Sequence, residues 1–278
     1  MTTTLRPAGP ETREDGGVRR RSYEVCVNGR PVGALALATH PVFGPSAGRI
    51  EDLRIDEPDR RRGRGTVAAL AAEEVLRGWG CGRIEISVPA AAGAGLGLAG
   101  ALGYIERSRN MIKQLPATPP DLPEGSYSRP MTGAEYDIWA AHAVAEFARE
   151  WSERGVPEAE ARAKAERGNA EALPDGLDTP GIYMGVLEHA GTPVGILWID
   201  PATSHDPAVP WVYDVEVKEG HRGRGHGRTL MLLAERVALA TGADRLALNV
   251  FSGNLPALNL YQSLGYEPTF RHLYKPLL

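Results

Sequence analysis

Laid over itself at an offset of 162 residues, without a gap, the chain repeats. Arg60-x-x-Gly63-x-Gly65 falls on Arg222-x-x-Gly225-x-Gly227, Pro31-Val32-Gly33 on Pro193-Val194-Gly195, and Leu102-Gly103-Tyr104 on Leu264-Gly265-Tyr266. Asp52, Glu73, Gly80, Arg83 and Lys113 fall on Asp214, Glu235, Gly242, Arg245 and Lys275. The match spans turns, charges and apolar positions together, so the chain folds as two copies of one unit.

The most informative stretch of that unit is Trp211 to Gly227, WVYDVEVKEGHRGRGHG. From Trp211 to Val217, β-branched and aromatic residues predict a strand, and Asp214 and Glu216, two apart, share one of its faces. In Arg222-x-x-Gly225-x-Gly227 the glycines let the backbone approach a ligand and aim several N–H groups into one hollow. Leu230, Leu233, Val237 and Ala240 then follow at helical spacing, up to Gly242. The positive end of that helix faces the hollow, and a pyrophosphate is the group it suits best. A dinucleotide fingerprint fits less well, because Gly223, Gly225 and Gly227 are spaced G-x-G-x-G and no acidic residue ends a second strand at the usual distance.

Asn249, Asn254, Ala257, Tyr261 and Leu264-Gly265-Tyr266 follow downstream. With the loop they make a pattern that resembles the coenzyme A signature of the GNAT superfamily of acyl-CoA-dependent N-acyltransferases. The resemblance implies an α/β (α+β) fold of two tandem GNAT-like domains, each a mixed, mostly antiparallel twisted sheet with flanking helices. It implies acetyl-CoA as cosubstrate, an amine as acceptor and no metal. The acyl-CoA is expected between the strand ending at Val217 and the strand ending near Val250, with backbone groups of Val215 and Val217 on its pantetheine arm. Its pyrophosphate is expected on the amides of Arg222, Gly223, Arg224, Gly225, His226, Gly227 and Arg228, where the three arginines add charge. Asn249, Asn254 and Ala257 belong to the same cofactor set, Asn254 either bonding the pantetheine or fixing the loop. Tyr261 stands where the family protonates the leaving sulfur. Glu216 is the first choice of base and Asp214 the second. Asn249 occupies a position where N-terminal acetyltransferases of the ribosomal-protein type often carry a glutamate, and an amide cannot take a proton.

The copies differ in completeness. The first, about Tyr23 to Lys113, predicts strands around the Asn28-Gly29-Arg30 turn, a strand at Arg49 to Ile55, a helix at Thr66 to Arg77 and a strand at Arg83 to Val88. Some twenty residues precede it, too few for the two helices that usually follow the first GNAT strand. At the repeat offset Tyr261, Asn254, Asn249 and Glu216 face Ala99, Ala92, Ser87 and Arg54, and AAAGAGLGLAG, Ala90 to Gly100, is too glycine-rich for a stable helix alone. The first copy reads as a degenerate domain that packs, dimerises or covers the active site, although Gly63 and Gly65 leave a CoA site open. LPATPPDLPEG, Leu115 to Gly125, reads as a semi-rigid linker, which gives domains at 1–115 and 127–278 joined by 116–126.

The second copy predicts a strand at Tyr127 to Met131 and a helix from Ala134 to Arg154 capped by Thr132. A second helix through Ala161 and Ala165 to Leu173 and a hairpin around Ala190-Gly191 complete it. His142, Phe147, Trp151 and Trp198 either line the acceptor pocket or form core.

A net charge of -4 and a pI near 6.0 argue against nucleic acid, despite Arg19 to Arg21 and Arg60 to Arg64. Two cysteines, Cys26 and Cys81, no apolar leader and no run of membrane-spanning length predict a cytoplasmic protein without membrane contact. Rival readings are an acyl-CoA-binding module without turnover, against which Asn254, Tyr261 and Glu216 speak, and an enzyme similar to the two-copy mycothiol synthases, from which the shortened first copy departs.

Overall fold

The computed structural model describes residues 2–14, 17–153, 155–201 and 208–277. In chain order the elements are β1 (Thr3–Pro7), β2 (Thr12–Arg13), β3 (Arg19–Val27), β4 (Arg30–His40), β5 (Gly44–Ile55), α1 (Arg64–Gly78), β6 (Arg83–Pro89), α2 (Gly93–Ala101) and β7 (Ile105–Gln114). There follow β8 (Ser126–Pro130), α3 (Gly133–Ser152), α4 (Glu158–Ala172), β9 (Tyr183–His189), β10 (Thr192–Asp200), β11 (Trp211–Val217), α5 (His226–Ala240), β12 (Arg245–Phe251), α6 (Leu255–Ser263) and β13 (Glu267–Pro276). None of the helices among the described residues is long and apolar enough to cross a membrane.

The chain forms two compact units, Met1–Arg107 with Phe270–Leu278, and Ser108–Thr269. The first carries the strand order β1-β3-β4-β5-β6-β13, with β2 on β3, and the second β7-β12-β11-β10-β9-β8. In each, one parallel pair, β5–β6 or β11–β12, sits in an otherwise antiparallel sheet. Two-residue turns at Asn28-Gly29 and Ala190-Gly191 have φ of 49° and 82°, and 50° and 76°, the left-handed pairs that match the twist of a hairpin.

Division by chain order, 1–115 and 127–278, and division by compactness differ at two strands. β7, which ends the first copy in sequence, pairs with β12 of the second from Ser108↔Phe251 to Arg245↔Gln114. β13, which ends the second, pairs with β6 of the first from Phe270↔Pro89 to Pro276↔Arg83. The helices supply a physical reason. Glu73 on α1 and Glu235 on α5 are 2% and 1% exposed, and a buried carboxylate needs a cation. Lys113 on β7 places Nζ 2.6 Å from Glu235, and Lys275 on β13 places Nζ 2.8 Å from Glu73. The repeat-related lysines have exchanged helices.

The second unit has a helical layer on each face of its sheet. Leu230, Met231, Leu197, Ile199, Leu246 and Leu248 pack α5 and α6 on one face, while Trp139, Leu173, Met184, Val186 and Trp198 pack α3 and α4 on the other. Thr132 caps α3 in a reciprocal box with Glu135, as its sequence predicts; the helix ends at Ser152, and Arg154 lies outside the described residues.

The first unit places α1 and α2 against one face, through Ala72, Leu76, Ala99, Val25 and Leu35. Among the described residues no α-helix stands between β1 and β3. Two features go beyond the sequence reading. Polar Thr3–Pro7 is a strand, because it pairs with β3 from Thr3↔Val27 to Pro7↔Tyr23. Glycine-rich α2 forms because Ala99 packs into the core and Gly95 sits so close to Val88 that an added Cβ would lie 3.2 Å away. The Pro-rich stretch after β7 is tied to the second unit by Leu115 N–H donating to Asp244 O at 2.7 Å and by Arg236 donating to Pro120 O at 2.9 Å.

Candidate active site

Two parallel strands that part create the site. Among the described residues β11 and β12 pair only at Trp211↔Ala247 and Val212↔Leu248. Against β10, β11 carries an extra residue, Tyr213, between Val212↔Ile199 and Asp214↔Trp198, and such a bulge bends and twists the strand that holds it. Past the bulge Asp214 lies opposite Trp198 and Glu216 opposite Ile196 on the face that carries α3. Val215 and Val217 turn to the α5 core, which leaves their backbone groups at the open edge. β4 shifts register at Ala36/Leu37 and β5–β6 pairing ends at Ile50↔Ile86, the repeat equivalents, so the first unit opens at the same place.

At the end of β11, Arg222 is extended and its Nε donates to Val217 O at 3.1 Å. Gly223 and Gly225 follow with φ of 75° and 87°, left-handed conformations that a side chain disfavours, and Gly225 caps α5. Gly227 keeps α5 close to α6: a Cβ there would lie 3.2 Å from Leu260 Cδ2, which would have to shift to admit it. His226 offers the hollow only its backbone. His226 is 7% exposed, its ring lies tilted against that of His189 at 5.1 Å, and burial, then His189, His221 and Arg224, pull its pKa down. Arg228 is held by Ser263 Oγ at 2.7 Å, while Arg224 is exposed beside the loop.

Asn254 caps α6: its Oδ1 accepts from Ala257 N–H at 3.2 Å, so both residues fix the helix. Seven residues on, two helical turns, Tyr261 lies on the same side of α6, 8% exposed. Burial, and then the charge of Asp214, push its phenol above the ordinary tyrosine range, which keeps the proton on it.

Helix α3 roofs the opening from both sides. Trp139 Nε1 donates to Asp214 Oδ2 at 2.7 Å, and His142 Nε2 lies 3.9 Å from Glu216 Oε1, both over β11. Phe147 and Trp151 stand at 6.0 and 5.9 Å from the ring of Phe251, which ends β12. Burial raises the Asp214 carboxyl to about 6, the Trp139 bond opposes that, and Glu216 adds to it. Glu216 keeps a side chain 31% exposed. Of the aromatics weighed for the acceptor pocket, Trp198 is core, 7% exposed and stacked on Tyr213 at 4.5 Å.

Asn249 lies apart from the other residues assigned to cofactor. It faces the α3 side, and its Nδ2 donates to Asn110 Oδ1 at 2.8 Å and to Ser108 Oγ at 3.3 Å. Sequence reasoning missed Ser108 and Asn110 because both precede the second copy in the chain. It also gave Trp139 no role, although a strand carboxylate partly covered by a helix calls for a donor from that helix.

In the first unit the loop persists without the chemistry. Arg61 and Gly63 keep left-handed φ of 56° and 73°, and Arg60 Nε donates to Ile55 O at 2.8 Å. Ala92 holds nearly the backbone of Asn254, φ −84° and ψ 66° against −84° and 70°, yet makes no side-chain cap. Ala99 stands for Tyr261 and Arg54 for Glu216.

The sequence profile of the acetyltransferase (GNAT) family matches residues 5–104 and again 140–266. An uncharacterized N-acetyltransferase of Bacillus subtilis, YdgE, is 30% identical over 149 residues, 53% of this chain and 95% of its own. The mycothiol acetyltransferase of Thermobispora bispora is 32% identical over 215 residues, 74% of this chain and 68% of its own. Among solved structures, a GCN5-related N-acetyltransferase from Sphaerobacter thermophilus superimposes with a TM-score of 0.58 at 17% identity, over 92% of this chain and 80% of that one, which shows a shared fold.

Proposed function

The chain belongs to the acetyltransferase (GNAT) family, and on that premise we propose that its second unit transfers the acetyl group of acetyl-CoA to an amine. The observation that carries this reading is the parting of β11 and β12 between a left-handed glycine loop and a buried, protonated phenol. The residues fit the cosubstrate: the backbone of Val215 and Val217, past the last β11–β12 pair, suits a pantetheine arm, and the amides from Arg222 to Arg228 at a helix N-terminus suit a pyrophosphate.

Transfer needs a neutral amine nitrogen, and Glu216 takes the proton that the nitrogen sheds, directly or through water. The N–C bond forms, the C–S bond breaks, and Tyr261 delivers its proton to the leaving sulfur. Asp214, committed to Trp139 Nε1, holds the roof helix over the strand and is the poorer base. The first copy, with Ala99 in place of Tyr261 and Arg54 in place of Glu216, contributes β7 to the second unit but neither acid nor base. Cys26 and Cys81, both buried and unpaired, support a reducing, cytoplasmic setting.

A second reading, acetylation of a cysteinyl pseudo-disaccharide amine, is favoured by the Thermobispora relative, which matches 74% of the chain. Purified protein mixed with acetyl-CoA and a panel of amines, that one included, tests both readings by thiol release. Release with one class of amine is the expected result and names the acceptor. The absence of both thiol release and acetyl-CoA binding would overturn the proposal.

A further inference from the structure

We infer that Asn249 meets the acceptor amine with its amide oxygen, and that Ser108 and Asn110 are the positioning residues that turn it that way. The inference rests on acetyl transfer in the second unit and adds how that site receives its acceptor.

A primary amide has two N–H donors and one accepting oxygen, set on opposite sides of its carbon. The nitrogen of Asn249 finds one acceptor directly across the strand pair, Asn110 Oδ1 at 2.8 Å, and a second on the neighbouring residue of that face, Ser108 Oγ at 3.3 Å. Two acceptors on β7 match the two hydrogens of the amide. β12 has β7 on one side and β11 on the other. A nitrogen leaning on β7 therefore leaves Oδ1 leaning toward β11, where the strands have parted past Val212↔Leu248. Asn249 is exposed there, and Thr269 Oγ1 fixes β7 by donating to Asn110 O at 3.4 Å.

Across the opening stands the Glu216 carboxylate, again an acceptor only when ionised. The mouth is thus flanked by oxygens that accept, which suits a nucleophile bearing N–H groups and repels a carboxylate or phosphate. Asn249 orients the nitrogen while Glu216 alone removes its proton. Because Ser108 and Asn110 belong in sequence to the first copy, the repeat hides this contribution.

Hydroxylamine is a suitable probe, small enough for any acceptor pocket and mostly uncharged at neutral pH. Its nitrogen bonds to the acetyl carbon, the C–S bond breaks and CoA leaves as the thiol, giving acetohydroxamate above the uncatalysed rate. Asn110→Ala should raise the KM for hydroxylamine about tenfold, the worth of one oriented hydrogen bond, with the KM for acetyl-CoA within about twofold. Asn110→Asp, which keeps an accepting oxygen, should restore it to within about threefold. Asn110→Ala should add nothing in an Asn249→Ala background. Additive effects, or an equal rise in both KM values, would overturn the positioning role. Acetyl-CoA binding without acetohydroxamate would overturn the part given to Asn249, whereas absent acetyl-CoA binding would overturn the proposed function itself.

Discussion

Lys113→Met should loosen the helix of the other copy. Lys113 closes on Glu235, 1% exposed, with Nζ at 2.6 Å. Removing one partner of a buried pair costs about 3–5 kcal/mol, because the remaining charge stays buried without compensation. The Lys113 side chain is itself 18% exposed, so water reaches the gap and the lower end, about 3 kcal/mol, applies. That corresponds to roughly a hundredfold rise in local opening. Hydrogen exchange followed on separate peptides reads it directly. Amides of α5, His226–Ala240, should exchange about a hundredfold faster, with α1, Arg64–Gly78, unchanged. Lys275→Met should give the mirror image through Glu73. Lys113→Met with Glu235→Leu should recover to within about 1 kcal/mol, since an apolar replacement of both partners is often neutral. Faster exchange in α1 on Lys113→Met would refute the strand exchange, because it would mean that each lysine stays with its own copy.

Tyr261→Phe should lower kcat by about 10²–10⁴ and leave the KM for acetyl-CoA unchanged in steady-state thiol release, and an unchanged kcat would remove Tyr261 from the chemistry. Asp214 predicts a pH signature. Its carboxyl rises from 3.8 to about 6 on folding, so between those values the folded chain holds a proton that the unfolded chain has released. Stability from this group is complete below about pH 4, falls as pH rises to about 6 and is level above. Asp214→Asn should abolish that fall, a difference on the order of 2 kcal/mol given that Asp214 is only partly covered, read as urea midpoints at pH 4 and 7. Identical pH dependence in both proteins would remove the burial argument.

The repeat offset made most of the fold legible. Once Gly63 and Gly65 fell on Gly225 and Gly227, the strand, loop and helix of one copy specified those of the other. Periodicity also gave α5, the Thr132 cap and both two-residue hairpins, because these depend on neighbours a few residues apart. The strand exchange was not legible, since Lys113 and Lys275 fall on each other in the repeat and either pairing with Glu73 and Glu235 satisfies the pattern. Only tertiary geometry chooses between them. For the same reason Ser108 and Asn110 could not be seen beside Asn249, and Trp139 became more than a core aromatic only when its indole reached Asp214. Motif spacing located Tyr261 and Asn254, but the cap made by Asn254, lost at Ala92, shows what its side chain does there.

The central claim is that one acetyl-CoA binds, in the second unit, at the loop capped by Gly225. Calorimetric titration of acetyl-CoA into the full chain, into Gly225→Val and into Gly63→Val, tests it most directly. At Gly225 an added Cβ meets open space within the protein, so the substitution acts by forcing a β-branched residue to a φ of 87° and by filling the hollow. One site per chain that survives Gly63→Val and disappears in Gly225→Val is the predicted result. A site that survives Gly225→Val and disappears in Gly63→Val would contradict it and move the cosubstrate to the first unit.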